Sequence, residues 1–107
     1  MDGKIIATSF EIISHSGEAK ANYLKAIEFC KEKKNAEAQK LMKEGDEEYL
    51  IAHKAHGELL QSFAANDDIE VNILLVHALD HLSTAQVIGL LSREIIALRS
   101  ELSGREE

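Results

Sequence analysis

Not one proline interrupts the 107 residues of this chain. Proline is the strongest helix breaker, because it lacks a backbone donor and its ring clashes with the preceding turn. A proline-free chain dominated by Ala, Leu, Glu and Lys, all good helix formers, is free to run in long helices. The question is then where the turns fall, and two polar clusters mark them: Lys33-Lys34-Asn35 and Ala65-Asn66-Asp67-Asp68. Three helices are predicted, roughly Gly3 to Glu32, Ala36 to Ala64 and Asn72 to Leu102. The first carries an apolar strip of Ile6, Phe10, Ile13, Gly17, Tyr23, Leu24, Ile27 and Cys30. The second carries one of Ala38, Leu41, Met42, Gly45, Tyr49, Ala52, Leu59, Leu60 and Phe63, and steps of three and four make both one-faced helices. The third differs, since Ile73, Leu74, Leu75, Val76, Ala78, Leu79 and Leu82 cover its whole circumference. Its candidate N-caps are Asp67, Asp68 and Asn72. Each helix is roughly 45 Å long at 1.5 Å per residue, and short connections force antiparallel neighbours. The expectation is an all-α, up-down-up three-helix bundle, one domain over residues 1–107.

Two helices cover only part of a third, so an apolar side of Ile73 to Leu91 is expected to face water in a monomer, and self-association in a closed assembly follows. Periodicity alone leaves dimer, trimer and tetramer open. Composition narrows the function. With 12 basic and 19 acidic side chains the net charge is −7, which repels phosphate backbones and argues against nucleic acid. The single cysteine, Cys30, excludes an internal disulfide framework and a thiolate zinc cluster and suits a reducing cytoplasm. The first residues lack a signal-type apolar stretch, so a soluble, unanchored protein is expected.

Chemistry concentrates inside the apolar third helix, in Val76-His77-Ala78-Leu79-Asp80-His81-Leu82. Spacings of three and four bring His77, Asp80 and His81 onto one strip. A carboxylate and two imidazoles are costly in an apolar setting unless paired or liganded. One reading is zinc, because His at i and i+4 is the pair of H-E-x-x-H enzymes. Against it, Ala78 stands where the general-base glutamate would be, although His53 and His56 could add ligands to a four-histidine site. The other reading is nucleophilic: a neutral imidazole can attack phosphorus and hold the group as a labile N–P bond. The chain has no Gly-rich phosphate loop and no Walker lysine, so a bound nucleotide is not the expected donor.

This heptad resembles the V-H-A-Q-D-H-L-M signature of the lactose/cellobiose-specific enzyme IIA components of the sugar phosphotransferase system. Ser16-Gly17-Glu18-Ala19-Lys20 resembles the family's A-G-x-A segment followed by Arg or Lys, and Ala52-His53-Lys54-Ala55-His56 resembles its A-H-x-x-Q segment. The resemblance implies a cytoplasmic homotrimer that takes a phosphoryl group from the phosphocarrier protein HPr and passes it to a cysteine of enzyme IIB. It implies that His77 is the phosphorylated residue, that His81 assists as a second catalytic histidine, and that Asp80 meets its symmetry mates around Mg2+ on the trimer axis. Three carboxylates within about 4 Å would repel by roughly 4 kcal/mol per pair at an effective dielectric near 20, and a hard cation removes that repulsion. The chain departs from the pattern at Leu79 and His56, both of which replace a family glutamine.

The remaining candidates read as structural. Cys30 is expected to be a buried thiol, His15 a solvated histidine, and His53 a possible neighbour of the site. The run Lys31-Glu32-Lys33-Lys34 and the cluster Glu44, Asp46, Glu47 and Glu48 read as solvated faces. The alternative to a carrier of lactose-, cellobiose- or chitobiose-type uptake is a non-enzymatic metal-binding or scaffold bundle.

Overall fold

The computed structural model describes residues 3–65 and 71–106, and all three expected helices are present. They are α1 (Gly3–Lys31), α2 (Asn35–Ala65) and α3 (Ile73–Glu106), in a rod of 60 × 19 × 18 Å. Among the described residues there is no strand. The boundaries follow from local chemistry. At the end of α1 the Lys34 amide donates to the Phe29 carbonyl (2.9 Å) and the Lys33 amide to that of Cys30 (3.0 Å). This is a Schellman closure, and it places Lys33 at the left-handed position with φ of 63°, where glycine is usual. At the start of α3, Asn72 is the cap: its side-chain oxygen accepts from the Leu75 amide at 3.0 Å. Asp67 and Asp68, the other cap candidates, lie outside the described residues.

Helix α1 is the hub, packing along both α2 and α3, which touch each other much less. Its buried strip is Ile5, Ser9, Ile12, Ser16, Ala19, Tyr23, Ala26 and Cys30. The predicted strip is right at Tyr23 and Cys30 but out of phase elsewhere, mostly by one residue, and Phe10 and Leu24 are exposed. Small side chains explain the shift. Ser9, Ser16 and Ala19 sit where the helices approach closely, while a Phe there would hold them apart. In α2, Ala38, Met42, Gly45, Ala52 and Leu59 are buried as expected, Ala55 joins them, and Leu60 and Phe63 face out.

Tyr23 ties the three helices together. Its ring lies in a slot between Gly45 of α2 and Gly89 of α3, where an added Cβ would come within 2.7 and 2.8 Å of ring carbons. Its hydroxyl donates to Asp46 Oδ1 at 2.7 Å, and Arg93 of α3 grips both oxygens of that carboxylate at 2.9 and 2.7 Å. Burial, then the bond to Asp46, pushes the Tyr23 pKa well above the usual tyrosine range. Asp46 is therefore a structural ligand, not part of a solvated face. Glu48 is likewise engaged, by a half-buried His15 whose Nδ1 lies 2.5 Å from Glu48 Oε2, which corrects the reading of His15 as solvated. Cys30 is a buried free thiol, as expected.

On α3 the inward residues are small or medium: Leu75, Ala78, Leu82, Ala85, Gly89, Ser92 and Ile96. The outward side holds large aliphatics in a regular pattern. Ile73, Thr84 and Ile95 recur every eleven residues, as do Val76, Val87 and Leu98, and Asp80, Leu91 and Leu102, and all nine are exposed. The seven aliphatic members are 41 to 87% exposed. An eleven-residue period, about 3.67 residues per turn, keeps one stripe nearly straight along an α-helix.

Candidate functional site

Three helical positions and one residue from the neighbouring helix build the site. His77 and His81 stand one turn apart on α3, their rings edge to face with centroids 4.5 Å apart and their Nε2 atoms 3.2 Å apart. His77 is exposed and His81 half-buried. Lys20 reaches across from α1, placing Nζ 2.7 Å from His81 Nδ1 and 3.1 Å from Thr84 Oγ1. Thr84 turns its own hydroxyl back to the carbonyls of Asp80 and His81, at 3.0 and 3.1 Å. Burial, the Lys20 charge and His77 together lower the His81 pKa below the usual imidazole value, against a smaller opposing pull from Asp80. That shift favours the neutral form of the His81 imidazole.

Asp80 lies on the outward stripe of α3, between Val76 and Val87, and is exposed. Its carboxylate accepts no hydrogen bond and forms no ion pair with any described residue. Among the described residues, no three His, Cys, Asp or Glu side chains converge on a cation position. The four-histidine arrangement is therefore not formed: His53 is exposed beside Tyr49, ring centroids 5.8 Å apart, and His56 lines a cleft away from His77. That cleft, about 190 Å³, is walled by Leu59, Leu60, Phe63, Leu75 and Leu79 as well as His56. The two departures from the glutamine pattern are thus neighbours. Leu79 also packs against the buried cluster of Ile5, Leu59 and Leu75. At 100° per residue it points about 200° around α3 from His77, so within one chain its change does not touch the histidine pair.

Lys20 and Thr84 join the histidine pair through contacts that spacing on α3 did not reveal. Thr84 could have been found, since it follows Asp80 by one turn and His81 by three residues. Lys20 was already marked as the basic end of the segment from Ser16, but its contact with His81 depends on the register of α1 against α3.

The fold and site together define a class: a small all-α bundle that displays a histidine pair, backed by an ammonium, on the side of one helix. Residues 7–100 match the family described as the lactose/cellobiose-specific IIA subunit of the PTS system, and the chain belongs to that family. It is 34% identical over 94 residues to the lichenan-specific phosphotransferase enzyme IIA component of Bacillus subtilis (strain 168), spanning 88% of this chain and 86% of that one. It is 34% identical over 89 residues to the lactose-specific EIIA component of Staphylococcus epidermidis, spanning 83% and 86%. The crystal structure of the PTS cellobiose-specific enzyme IIA from Bacillus anthracis superposes with a TM-score of 0.92 at 35% identity, over 97% of this chain and 95% of that one. PtcA from S. mutans superposes with 0.88 at 33% identity, over 94% and 99%. The chain is a phosphotransferase component, a phosphoryl carrier of a sugar phosphotransferase system, and the non-enzymatic reading falls.

Proposed function

We propose that His77 carries the phosphoryl group, received from HPr and passed to a cysteine of enzyme IIB during uptake of lactose-, cellobiose- or chitobiose-type sugars. The observation that supports this best is the exposed His77 imidazole with its Nε2 3.2 Å from that of His81, which Lys20 holds from behind. A phosphoryl group brings roughly −1.5 to −2 charge and three acceptor oxygens. A neighbouring imidazole and an ammonium suit that load. In the first transfer the His77 Nε2–P bond forms as the donor's N–P bond breaks, its electron pair returning to the donor ring. In the second, the cysteine thiolate attacks phosphorus and the pair returns to His77 Nε2. Catalysis in both rests on positioning and charge.

The assembly we propose is a cytoplasmic homotrimer built on the outward stripe of α3. By length and composition α3 could also cross a bilayer. Asp80 on the stripe weighs against lipid contact, since a carboxylate within a membrane-spanning helix rarely faces lipid. A stripe of seven aliphatic residues around one unpartnered carboxylate and one threonine suits identical copies meeting in parallel. Asp80 from each copy would then hold a Mg2+ ion, whose charge offsets the repulsion among the three carboxylates.

Intact-mass measurement after incubation with phosphoenolpyruvate, enzyme I and HPr tests the assignment. One phosphoryl adduct per chain, lost in acid and absent from His77→Ala, is the expected result. An adduct that survives in His77→Ala, or none in the wild type, would overturn it.

A further inference from the structure

We propose that Lys20 is a positioning residue: by fixing the tautomer of His81 it sets which nitrogen of His77 is free to take the phosphoryl group. The proposal rests on the reading of His77 as the carrier. The tautomers follow from the donors and acceptors present.

An ammonium has three donors and no acceptor, so the 2.7 Å contact from Lys20 Nζ requires a lone pair on His81 Nδ1. A neutral imidazole has a single N–H, which must then sit on Nε2. That N–H faces His77 Nε2 at 3.2 Å, so His77 Nε2 accepts and the His77 proton resides on Nδ1. The exposed histidine therefore carries no proton on Nε2, and its attack on phosphorus needs no prior loss of a proton, only that its one lone pair exchange the His81 N–H for phosphorus. Once the N–P bond has formed, the same His81 N–H points towards the phosphoryl oxygens instead.

With His81 protonated on Nδ1 instead, the pair has two arrangements, one repulsive and one unreactive at Nε2. Either two lone pairs oppose each other at 3.2 Å, or His77 donates from Nε2 and has no electron pair there to attack with. Lys20 excludes that state, and Thr84 secures Lys20. Because the Thr84 proton is committed to the Asp80 and His81 carbonyls, its oxygen is free to accept from Nζ at 3.1 Å. Lys20 is anchored in turn by its neighbour Ala19, which is fully buried in the face α1 packs into the bundle.

The test is histidine side-chain nitrogen NMR on the unphosphorylated protein, comparing wild type with Lys20→Met, Lys20→Arg and Thr84→Val. In the wild type, His81 Nδ1 and His77 Nε2 should resonate as unprotonated nitrogens and their ring partners as N–H. Lys20→Met should convert both rings to tautomer mixtures, Lys20→Arg should restore the wild-type pattern, and Thr84→Val should give a weaker version of the Lys20→Met result. Groups that orient a metal-bound histidine through its second nitrogen are worth roughly 10- to 100-fold; by analogy phosphoryl uptake by Lys20→Met should slow by about that factor and recover in Lys20→Arg. A wild-type His81 protonated on Nδ1, or a pattern unchanged in Lys20→Met, would overturn the proposal. If the tautomers are as stated but no variant, wild type included, takes up a phosphoryl group, then the assignment of His77 as carrier has failed and the positioning role of Lys20 has not.

Discussion

The two sides of α3 are built on opposite principles. Towards the bundle it offers Ala78, Ala85, Gly89 and Ser92, which let the backbone come close to α1 and leave room for the Tyr23 ring. Away from the bundle it offers Ile73, Val87, Leu91, Ile95, Leu98 and Leu102, all exposed in the single chain. Monomeric proteins seldom show so long a contiguous apolar surface. Uniform apolarity in this helix thus overlays two things: close intramolecular packing by small residues and, in the proposed assembly, a second interface by large ones. The candidate site residues occupy the seam. Asp80 belongs to the outward stripe, whereas His81 is half-buried and turned to Lys20 of α1.

Charging the outward side should separate these demands most sharply. Leu91→Asp with Leu98→Asp should abolish the proposed assembly, because each leucine is worth about 1.5–3 kcal/mol on burial in every copy. Circular dichroism of the resulting monomer should remain helical, and size-exclusion chromatography with light scattering reads the loss. The inward counterpart is Gly89→Ala, whose methyl would stand 2.8 Å from a Tyr23 ring carbon. Overpacking of that kind costs about 1–3 kcal/mol, read as a lower urea midpoint.

Next in size is an effect of pH. Folding raises the Tyr23 pKa, so the folded chain keeps a proton that the unfolded chain releases near the ordinary value of about 10. This contribution to stability is fully present below that pH and is lost as pH rises through the alkaline range. Tyr23→Phe should flatten the alkaline fall, measured by urea melts at several pH values. Two smaller changes should stabilise. Ser16 Oγ is buried without a hydrogen-bond partner in the described structure, so Ser16→Ala should gain about 1 kcal/mol. Lys33→Gly should gain about 0.5–1 kcal/mol by relieving the left-handed residue in the α1 closure, both seen as a higher Tm.

Much of the architecture was legible because helix periodicity, turn clusters and the absence of proline all act locally. The three helices and the exposed apolar side of α3 follow from those signals. What periodicity could not resolve was the phase of α1. Buried Ser9 and Ser16 look polar in sequence, and exposed Phe10 and Leu24 look like core, because close helix approach favours small size over apolarity there. His77, Asp80 and His81 were legible through their spacing on one helix, and the structure places the two histidines in contact. Lys20, His15 with Glu48, and Asp46 with Tyr23 and Arg93 were not, since each joins residues from different helices. The charges of Asp46 and Glu48, next to one another in a run of acidic residues, gave no sign that both were committed to partners.

The measurement that bears most directly on the two-sided reading of α3 is sedimentation equilibrium of the wild-type protein over a wide concentration range, with and without a chelator. The account predicts a species of roughly three times the 11.9 kDa chain mass, loosened when divalent metal is removed. A particle of one chain mass at every concentration, with the outward stripe left facing water, would contradict it.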